Sequence, residues 1–513
     1  MSNDKKVVII GSGLGGLATG AMLAKNGYRV TVLEQGVQIG GCLQCFTRKG
    51  VKFETGMHFI GSASEGQTLN RLMKYLEIDQ KVKLSPLDRH GYDVVSLGGK
   101  CYRFANGKEA FIKQMTEYFP HQHEQLEKYF NLVEQIASAS SMHSLSSVQD
   151  GQEINAAEYQ LRSINEVIDE VITDPLLAKV LVGNLPLYAA EKDKTPFSTH
   201  AFILDFYNQS AYRIQGGSDM VAEALVDTIH RYGGDVLNRS KVTRIICDDT
   251  HVVAVEINGK EQMACDYVVS DAHPVRTMEL LADTKLIRPA FRRRINQIPQ
   301  TVGVFSVYLH FKEHQVAYMN HNYFGYQQDT PWDCEHYTEE TWPKGFLYMH
   351  FCADQECEKD TMQSSVADMQ VPQYASTGVV LSYMQMDEVE KWKDTKVGHR
   401  GKDYENFKQR KAERLLDVLN QHFPGIRENL EAYYTSTPLT YLDYTGTERG
   451  SMYGNARDIH MGPAGRVPHR TKIPNLFLTG QNINSHGMLG VLVGSVVASS
   501  ELLKKNIDFN EKE

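Results

Sequence analysis

The hydrophobic pattern at the N-terminus predicts a strand, a tight turn, a helix and a second strand. Residues 7–10 form a short apolar run that leads directly into the sequence GSGLGG at residues 11–16. Apolar residues at helical spacing follow as far as Gly27, and the run Arg29–Leu33 then ends at Glu34. This order is typical of the unit that binds a nucleotide at the edge of a parallel sheet.

The middle of the chain alternates between helical and β-rich patterns. Helical spacing over residues 108–137 and 164–189, with breaks at Pro120, Pro175 and Pro186, predicts a mostly helical insertion. One further helix and three strands are then predicted, and we expect these strands to return the chain to the nucleotide-binding sheet. They cover residues 219–232, 242–246, 252–257 and 266–270.

Beyond residue 301 the pattern changes to short β-rich runs. Strands are predicted at 304–311 and 378–384, with one helix at 404–422. We interpret this part as a second sheet that floors a substrate cavity.

The glycine spacing favours binding of a dinucleotide pyrophosphate. Gly11, Gly13 and Gly16 permit a tight turn, close approach of backbone to phosphate and packing of the helix on the sheet. The N-terminus of the helix adds free N–H groups and a favourable dipole. Glu34 stands where a carboxylate binds the ribose 2′-hydroxyl, and its charge would repel a 2′-phosphate. The pattern therefore favours FAD or NAD over NADP.

Further glycine-marked segments carry a resemblance to a known family. They are Gly40-Gly41, the turn at residues 53–56, residues 475–482, and an apolar helix that holds Gly487, Gly490 and Gly494. With these segments the chain resembles the superfamily of flavin-dependent amine oxidases, phytoene desaturases and retinol saturases. Segments at residues 55–61, 196–201 and 211–218 make it most similar to the retinol saturases.

The resemblance implies an α/β fold with two interleaved domains. One is a Rossmann-like FAD-binding domain of the glutathione-reductase type with a central parallel sheet, and the other is an α+β substrate-binding domain. We expect the FAD-binding domain at residues 1–85, 210–275 and 465–508. The substrate-binding domain, with its helical insertion, is expected at 86–209 and 276–464.

The resemblance also implies which residues contact FAD. Asn482 and Glu54 replace the more usual aspartates, and the amide oxygen of Asn482 is still expected to accept from the ribityl chain. The helix that begins at Gly487 is expected to direct its dipole at the flavin. The expected contacts are Gly11, Gly13, Leu14, Gly15, Gly16, Glu34, Gln35, Gly40, Gly41, Cys42, Thr55, Gly56, Met57, His58, Val242, Gly480, Gln481, Asn482, Met488 and Leu489.

The implied function is redox chemistry at a carbon–carbon double bond of a hydrophobic conjugated polyene. The resemblance points to a retinol saturase, which converts all-trans-retinol to 13,14-dihydroretinol. Carotenoid or phytoene desaturases and flavin-dependent polyene cis–trans isomerases share most of the segments and stay as alternatives. Rab GDP-dissociation inhibitors use the same fold to hold a prenylated protein, but they lack the complete FAD signature.

Reduction of a double bond requires a hydride and a proton, and therefore a positioned acid. By resemblance the candidates are His58, Tyr453 and His486. His58 is preferred because it follows Thr55-Gly56, whose loop runs beside the isoalloxazine in the family. The alternative that His58 only hydrogen-bonds backbone in a tight loop stays open, and Tyr453 is expected to line the cavity.

Composition limits the partners. A net charge of −9 and a pI near 6.1 argue against nucleic acid and against electrostatic docking on an anionic membrane. The sequence has one phosphate-binding glycine motif, so we expect electrons to come from transient NAD(P)H or a separate donor, or to leave to a separate acceptor. The first strand begins close to Met1, which predicts no signal peptide and a cytoplasmic location. Peripheral membrane contact stays open, because a polyene partitions into lipid.

The cysteines complete the candidate chemistry. Eight cysteines in a cytoplasmic chain of this size are expected to be reduced thiols. Cys42 and Cys45 form a Cys-x-x-Cys pair, a spacing that occurs in redox dithiols and in zinc sites. Because no second pair and no histidine at ligand spacing accompany it, we expect no metal and interpret the pair as packing beside the flavin.

Overall fold

The computed structural model describes residues 5–139, 157–352 and 374–509. Parts of the predicted domains at residues 1–4, 140–156 and 353–373 lie outside the described residues. None of the described helices combines the length and the apolar composition that a membrane crossing requires.

A five-stranded parallel sheet carries the N-terminal unit. The first strand lies in its centre, with Val7 opposite Val30 on one side and opposite Tyr267 on the other. Its side chains are buried on both faces, as expected for β-branched residues in a sheet that helices cover. In spatial order the strands are Asp235–Leu237, Arg29–Leu33, Lys6–Ile10, Tyr267–Ser270 and Leu476–Leu478.

Three helices pack at this sheet. Leu14–Lys25 is buried along almost its whole length because it lies between Asp219–Arg231 and Gly487–Leu503. The predicted helices over 219–232 and in the C-terminal apolar run are therefore confirmed. Ser218 precedes one of them but does not cap it, since its hydroxyl donates to the Leu43 carbonyl.

One sequence prediction about this sheet is wrong. Of the three β-rich runs expected to rejoin it, Tyr267–Ser270 does so. The other two pair with each other in a separate antiparallel sheet, because the turn at Asp248-Asp249 folds them into a hairpin. That sheet consists of Val242–Cys247, Val252–Ile257 and Glu261–Ala264.

A seven-stranded mixed sheet forms the second layer and confirms the predicted strands at 304–311 and 378–384. The pattern missed the last two strands on one side of the sheet, Asp93–Leu97 and Lys100–Phe104. Asp93–Leu97 pairs in parallel with Asn322–Tyr326, a contact between residues far apart in sequence. In spatial order the strands are Leu430–Ser436, Gly303–Phe311, Thr377–Met384, Gly345–Phe351, Asn322–Tyr326, Asp93–Leu97 and Lys100–Phe104.

Short sheets and helices complete the described fold. The predicted break at Pro120 is confirmed, since one helix ends at Tyr118 and the next begins at His123. The small strands are Cys45–Arg48, Val51–Glu54, Ile60–Gly61, Leu84–Pro86 and Ala211–Ile214. The remaining α-helices are Thr68–Tyr75, Lys108–Tyr118, His123–Ser138, Ile164–Val171, Pro175–Leu181, Phe197–Gln209, Pro274–Leu280, Pro289–Asn296, Lys402–His422 and Pro438–Thr445. The domain boundaries stay a prediction.

Candidate functional site

The glycine turn after the first strand is sterically required. Gly11 has a φ of +95°, which favours glycine. A Cβ on Gly16 would lie 2.1 Å from the Gly11 carbonyl oxygen, so the turn can close only without a side chain at that position. The turn brings the N-terminus of Leu14–Lys25 to the carboxyl edge of the parallel sheet.

Glu34 closes the same edge from the next strand. Its side chain is buried, and its Oε2 accepts from the Ser12 backbone N–H at 3.0 Å and from the Ser12 hydroxyl at 2.7 Å. Its Oε1 accepts from the Gly36 N–H at 2.7 Å. These bonds fix the carboxylate beside the turn, where a ribose hydroxyl binds in dinucleotide sites.

Asp271 is a second acidic residue at this edge and was not predicted. It directly follows the strand Tyr267–Ser270, and its carboxyl group lies against the glycine turn, since a Cβ on Gly13 would lie 2.4 Å from Asp271 Oδ2. Burial, and then the charge of Glu34, raise the pKa of Asp271 to about 7. The sequence held a usable signal, because residues that follow adjacent parallel strands meet at one edge of the sheet.

A cavity of about 750 Å³ opens at this edge and gathers most of the predicted residues. Its volume lies within the usual range for a cofactor site. The predicted residues that line it are Gly11, Gly13, Leu14, Gly15, Glu34, Gln35, Gly40, Gly41, Cys42, Thr55, Gly56, Met57, His58, Val242, Tyr453, Gly480, Gln481, Asn482 and Met488.

Three predicted residues lie elsewhere. Gly16 packs against Gly11 behind the turn, while His486 and Leu489 line a second cavity. Residues that the sequence did not point to also line the first cavity, among them Asp271 and Tyr441. Tyr441 donates its hydroxyl to the Thr55 carbonyl at 2.9 Å and so ties the predicted turn to the helix Pro438–Thr445.

The residues around this first cavity fit FAD. Gly13 and Gly480 line it with backbone alone. A larger residue would not fit at either position, because a Cβ would lie 2.4 Å from the Asp271 carboxylate at Gly13 and 2.3 Å from it at Gly480. Backbone N–H groups there suit a pyrophosphate, and the Glu34 carboxylate suits a ribose. The sequence model of the family described as flavin containing amine oxidoreductase matches residues 14–500.

The chain belongs to this family. It is accordingly a flavin-dependent oxidoreductase, and its cofactor is FAD.

Relatives of known name extend over nearly the whole chain. All-trans-retinol 13,14-reductase of Rattus norvegicus is 29% identical over 98% of this chain and 86% of its own length. Prolycopene isomerase 1 of an Oncidium hybrid cultivar is 24% identical over 97% of this chain and 84% of its own length. Among solved structures, an oxidoreductase from Methanosarcina mazei superposes with a TM-score of 0.63 and 16% identity, covering 96% of this chain and 99% of its own.

His58 lies in the wall of the first cavity, from here on called the flavin cavity, and its side chain has a defined partner. Its Nδ1 lies 3.3 Å from Glu54 Oε2, and both side chains are 8% exposed. Burial raises the pKa of Glu54, and the hydrogen bond from His58 opposes that effect. The His58 carbonyl accepts from Arg213 at 3.3 Å. The side chain of His58 is therefore paired with a carboxylate and not with backbone.

The other two candidate acids lie against each other with their rings tilted. The rings of Tyr453 and His486 lie 4.5 Å apart at 36°. The Tyr453 hydroxyl donates to the Pro186 carbonyl at 3.2 Å, and burial raises the pKa of this phenol. Burial, and then the charge of Arg457, lower the pKa of His486 to about 3. His486 is thus uncharged near neutral pH, which leaves His58 and Tyr453 as the better placed proton carriers.

The Cys-x-x-Cys pair has the properties of packed thiols. Cys42 lines the flavin cavity and Cys45 lies behind it against Ser218. Burial raises the pKa of Cys42 to about 11 and that of Cys45 to about 12. Both are free thiols that stay protonated at neutral pH and are poor nucleophiles.

The side chain of Asn482, which was expected to bind the ribityl chain, already has a partner within the protein. It lines the flavin cavity, but its Oδ1 already accepts from the Asn455 backbone N–H at 2.9 Å. An amide oxygen has two lone pairs, so one acceptor site is left for the ribityl chain.

Proposed function

We propose that this chain reduces one carbon–carbon double bond of a hydrophobic conjugated polyene, in the manner of a retinol saturase. We further propose that the two sheets belong to interleaved FAD-binding and substrate-binding domains. The observation that supports this function best is a second cavity that adjoins the flavin cavity.

The second cavity has a volume of about 1120 Å³. Leu187, Tyr207, Gly487 and Met488 line both cavities, so the two meet where the C-terminal helix begins. Much of its wall is apolar, with contributions from Ile60, Leu69, Phe202, Ile203, Phe206 and Leu489. Such a wall suits an extended hydrocarbon with one end at the flavin.

The residues of the chain have separable tasks in this reaction. The chemistry that FAD supplies when bound is the transfer of a hydride to or from carbon. The N-terminus of Gly487–Leu503 places positive dipole potential at the junction of the cavities, where negative charge is stabilised. The partnered ring of His58 holds a proton for the second carbon of the double bond, and its contact with Glu54 fixes the ring.

The electron donor is proposed to be a transient NAD(P)H or a separate redox partner, because the sequence holds one phosphate-binding glycine motif. We place the protein in the cytoplasm with peripheral contact to a membrane, since a polyene is stored in lipid. A polyene isomerase is the second candidate, because prolycopene isomerases are among the relatives.

The test is an anaerobic one. The holoprotein is reduced chemically, all-trans-retinol is added, and the absorbance of oxidised flavin is followed together with product analysis. Return of the oxidised spectrum in step with one equivalent of a dihydro product supports reduction of the double bond. Isomerised polyene with a flavin that stays reduced favours the isomerase, and polyene that reduces oxidised flavin favours a desaturase.

A further inference from the structure

The charges of the second cavity are unbalanced. Arg294, Arg457 and Arg466 line it, whereas Asp458 is the one acidic residue among the described lining residues. A cavity for a neutral hydrocarbon would not require cations in its wall. Its electrostatic potential instead suits a ligand that carries negative charge.

In the described parts of the chain these three guanidinium groups bond only neutral oxygens. Arg294 donates to the carbonyls of Ala464 and Arg466 at 2.9 and 2.8 Å. Arg466 donates to the Gln160 side chain. Arg457 donates through Nη2 to the Asn484 carbonyl, with the Ile483 carbonyl at 3.5 Å.

Arg457 is half-buried, whereas Arg466 is exposed. Burial, and then the charge of Arg466, lower the pKa of Arg457 to about 10, so it stays charged at neutral pH. A cation in such surroundings is unfavourable unless an anion and hydrogen bonds compensate it. Nη2 is the one nitrogen with a bond to a described residue, which leaves the Nε and Nη1 donors for a ligand.

Arg457 also lies beside the segment that leads to the junction of the two cavities. It contacts the segment that leads through His486 to Gly487, where the two cavities meet. Its charge acts on the neighbouring His486, whose Nε2 is buried without a partner among the described residues. A second polar group is therefore available beside the guanidinium.

We infer that the second cavity binds a hydrophobic molecule with a carboxylate head group, which pairs with one of the free donors of Arg457. The inference rests on the proposed function and narrows its substrate class from polyenes in general to polyene carboxylic acids. A singly charged carboxylate matches one unpaired guanidinium that has single free N–H donors, whereas a diphosphate would require more donors. With its head at Arg457, the ligand would lay its hydrocarbon along the apolar wall of the same cavity.

The inference is tested by binding to the oxidised holoprotein, measured calorimetrically. The probes are all-trans-retinoic acid, its methyl ester and all-trans-retinol, which share one hydrocarbon skeleton. We expect the acid to bind about 10- to 100-fold more tightly than the ester, the usual range for a hydrogen-bonded ion pair. R457Q should remove this preference, and R457K, which keeps the charge on a differently placed donor, should keep part of it.

The acid-to-ester ratio within one variant is independent of how much of that variant folds. R89Q changes an exposed arginine outside both cavities and should keep the wild-type ratio. Equal binding of acid and ester by wild type, or an unchanged ratio in R457Q, would overturn the carboxylate assignment. Tighter binding of retinyl phosphate than of the acid would also overturn it.

The same probes separate this inference from the proposed function. If the acid binds through Arg457 but no retinoid reoxidises the reduced flavin, the carboxylate site stands and the polyene reduction is wrong. If retinol reoxidises the flavin and the acid shows no preference, the reduction stands and the carboxylate site is wrong.

Discussion

Gly15→Ala should impair FAD binding, because the new methyl group would clash with the backbone of Gly480, which cannot move aside as a flexible side chain can. Gly15 lies in the first turn of Leu14–Lys25. A Cβ there would lie 2.5 Å from Asp271 Oδ1 and 2.7 Å from both the N and Cα atoms of Gly480. Real Cβ contacts are essentially never shorter than 3.0 Å, so the helix and the Gly480 segment must separate by some tenths of an ångström.

The size of the effect follows from two opposing contributions. Overpacking of this kind costs about 1–3 kcal/mol, and replacing glycine by alanine in a helix returns up to about 1 kcal/mol. We expect a net loss of about 1 kcal/mol in the free energy of unfolding. Displacement of the turn should also weaken one charge-assisted hydrogen bond to the pyrophosphate, which corresponds to a roughly tenfold weaker FAD affinity.

Gly20→Ala is the matched control in the same helix. Its Cβ would lie 3.2 Å from the terminal methyl groups of Ile229 and Ile9, which can rotate away. Both variants gain the same helix propensity, so they differ mainly in the neighbour that must yield. FAD titration of the apoprotein and urea unfolding measure the two effects. Wild-type FAD affinity in Gly15→Ala, or an equal loss in Gly20→Ala, would refute the steric argument.

Three further predictions concern titratable groups. Burial raises the pKa of Asp271 to about 7, so its charge at pH 8 should oppose the pyrophosphate; FAD affinity should fall from pH 6 to pH 8, and titration of Asp271→Asn should show a flatter dependence. Burial also raises the pKa of Asp93 from 3.8 to about 7. The folded state then holds a proton that the unfolded chain releases, so stability should fall as pH rises between about 4 and 7, by at most about 4 kcal/mol. Urea unfolding of Asp93→Asn should lack this part of the slope, and an identical slope would contradict the assignment. Finally, His58→Gln should slow reoxidation of reduced flavin by retinol about 100-fold with FAD retained. His486→Gln, which removes a group with a pKa lowered to about 3, should change the rate only a few-fold in stopped-flow measurements; the reverse order would exclude His58 as the acid.

The cofactor and much of the secondary structure could be predicted from residues that lie close together along the chain. The glycine turn is readable because its φ angle and its contacts exclude side chains, and Glu34 is readable because it follows the second strand at a fixed distance. The family match confirms FAD. The helices at 108–137 and 404–422 were readable from apolar spacing, which reports local periodicity directly.

The pairing of strands that lie far apart along the chain could not be predicted from the sequence. The hairpin Val242–Ile257 shows the same alternation whether or not it joins the parallel sheet, so its separate sheet became apparent only in the structure. Asp93–Leu97 is buried throughout and lacks alternation, and its partner Asn322–Tyr326 lies more than two hundred residues away along the chain.

The sequence by itself thus determined what binds: a turn, a helix N-terminus and a carboxylate, each defined by residues close together along the chain. Only the tertiary structure decided what surrounds the bound cofactor. Asp271 reaches the glycine turn from a different strand, Tyr441 reaches Thr55 from the helix Pro438–Thr445, and Arg457 lines a cavity built from several segments. The reason is physical: backbone conformation follows local residue type, whereas charge, burial and pKa depend on groups that folding brings together from distant parts of the chain.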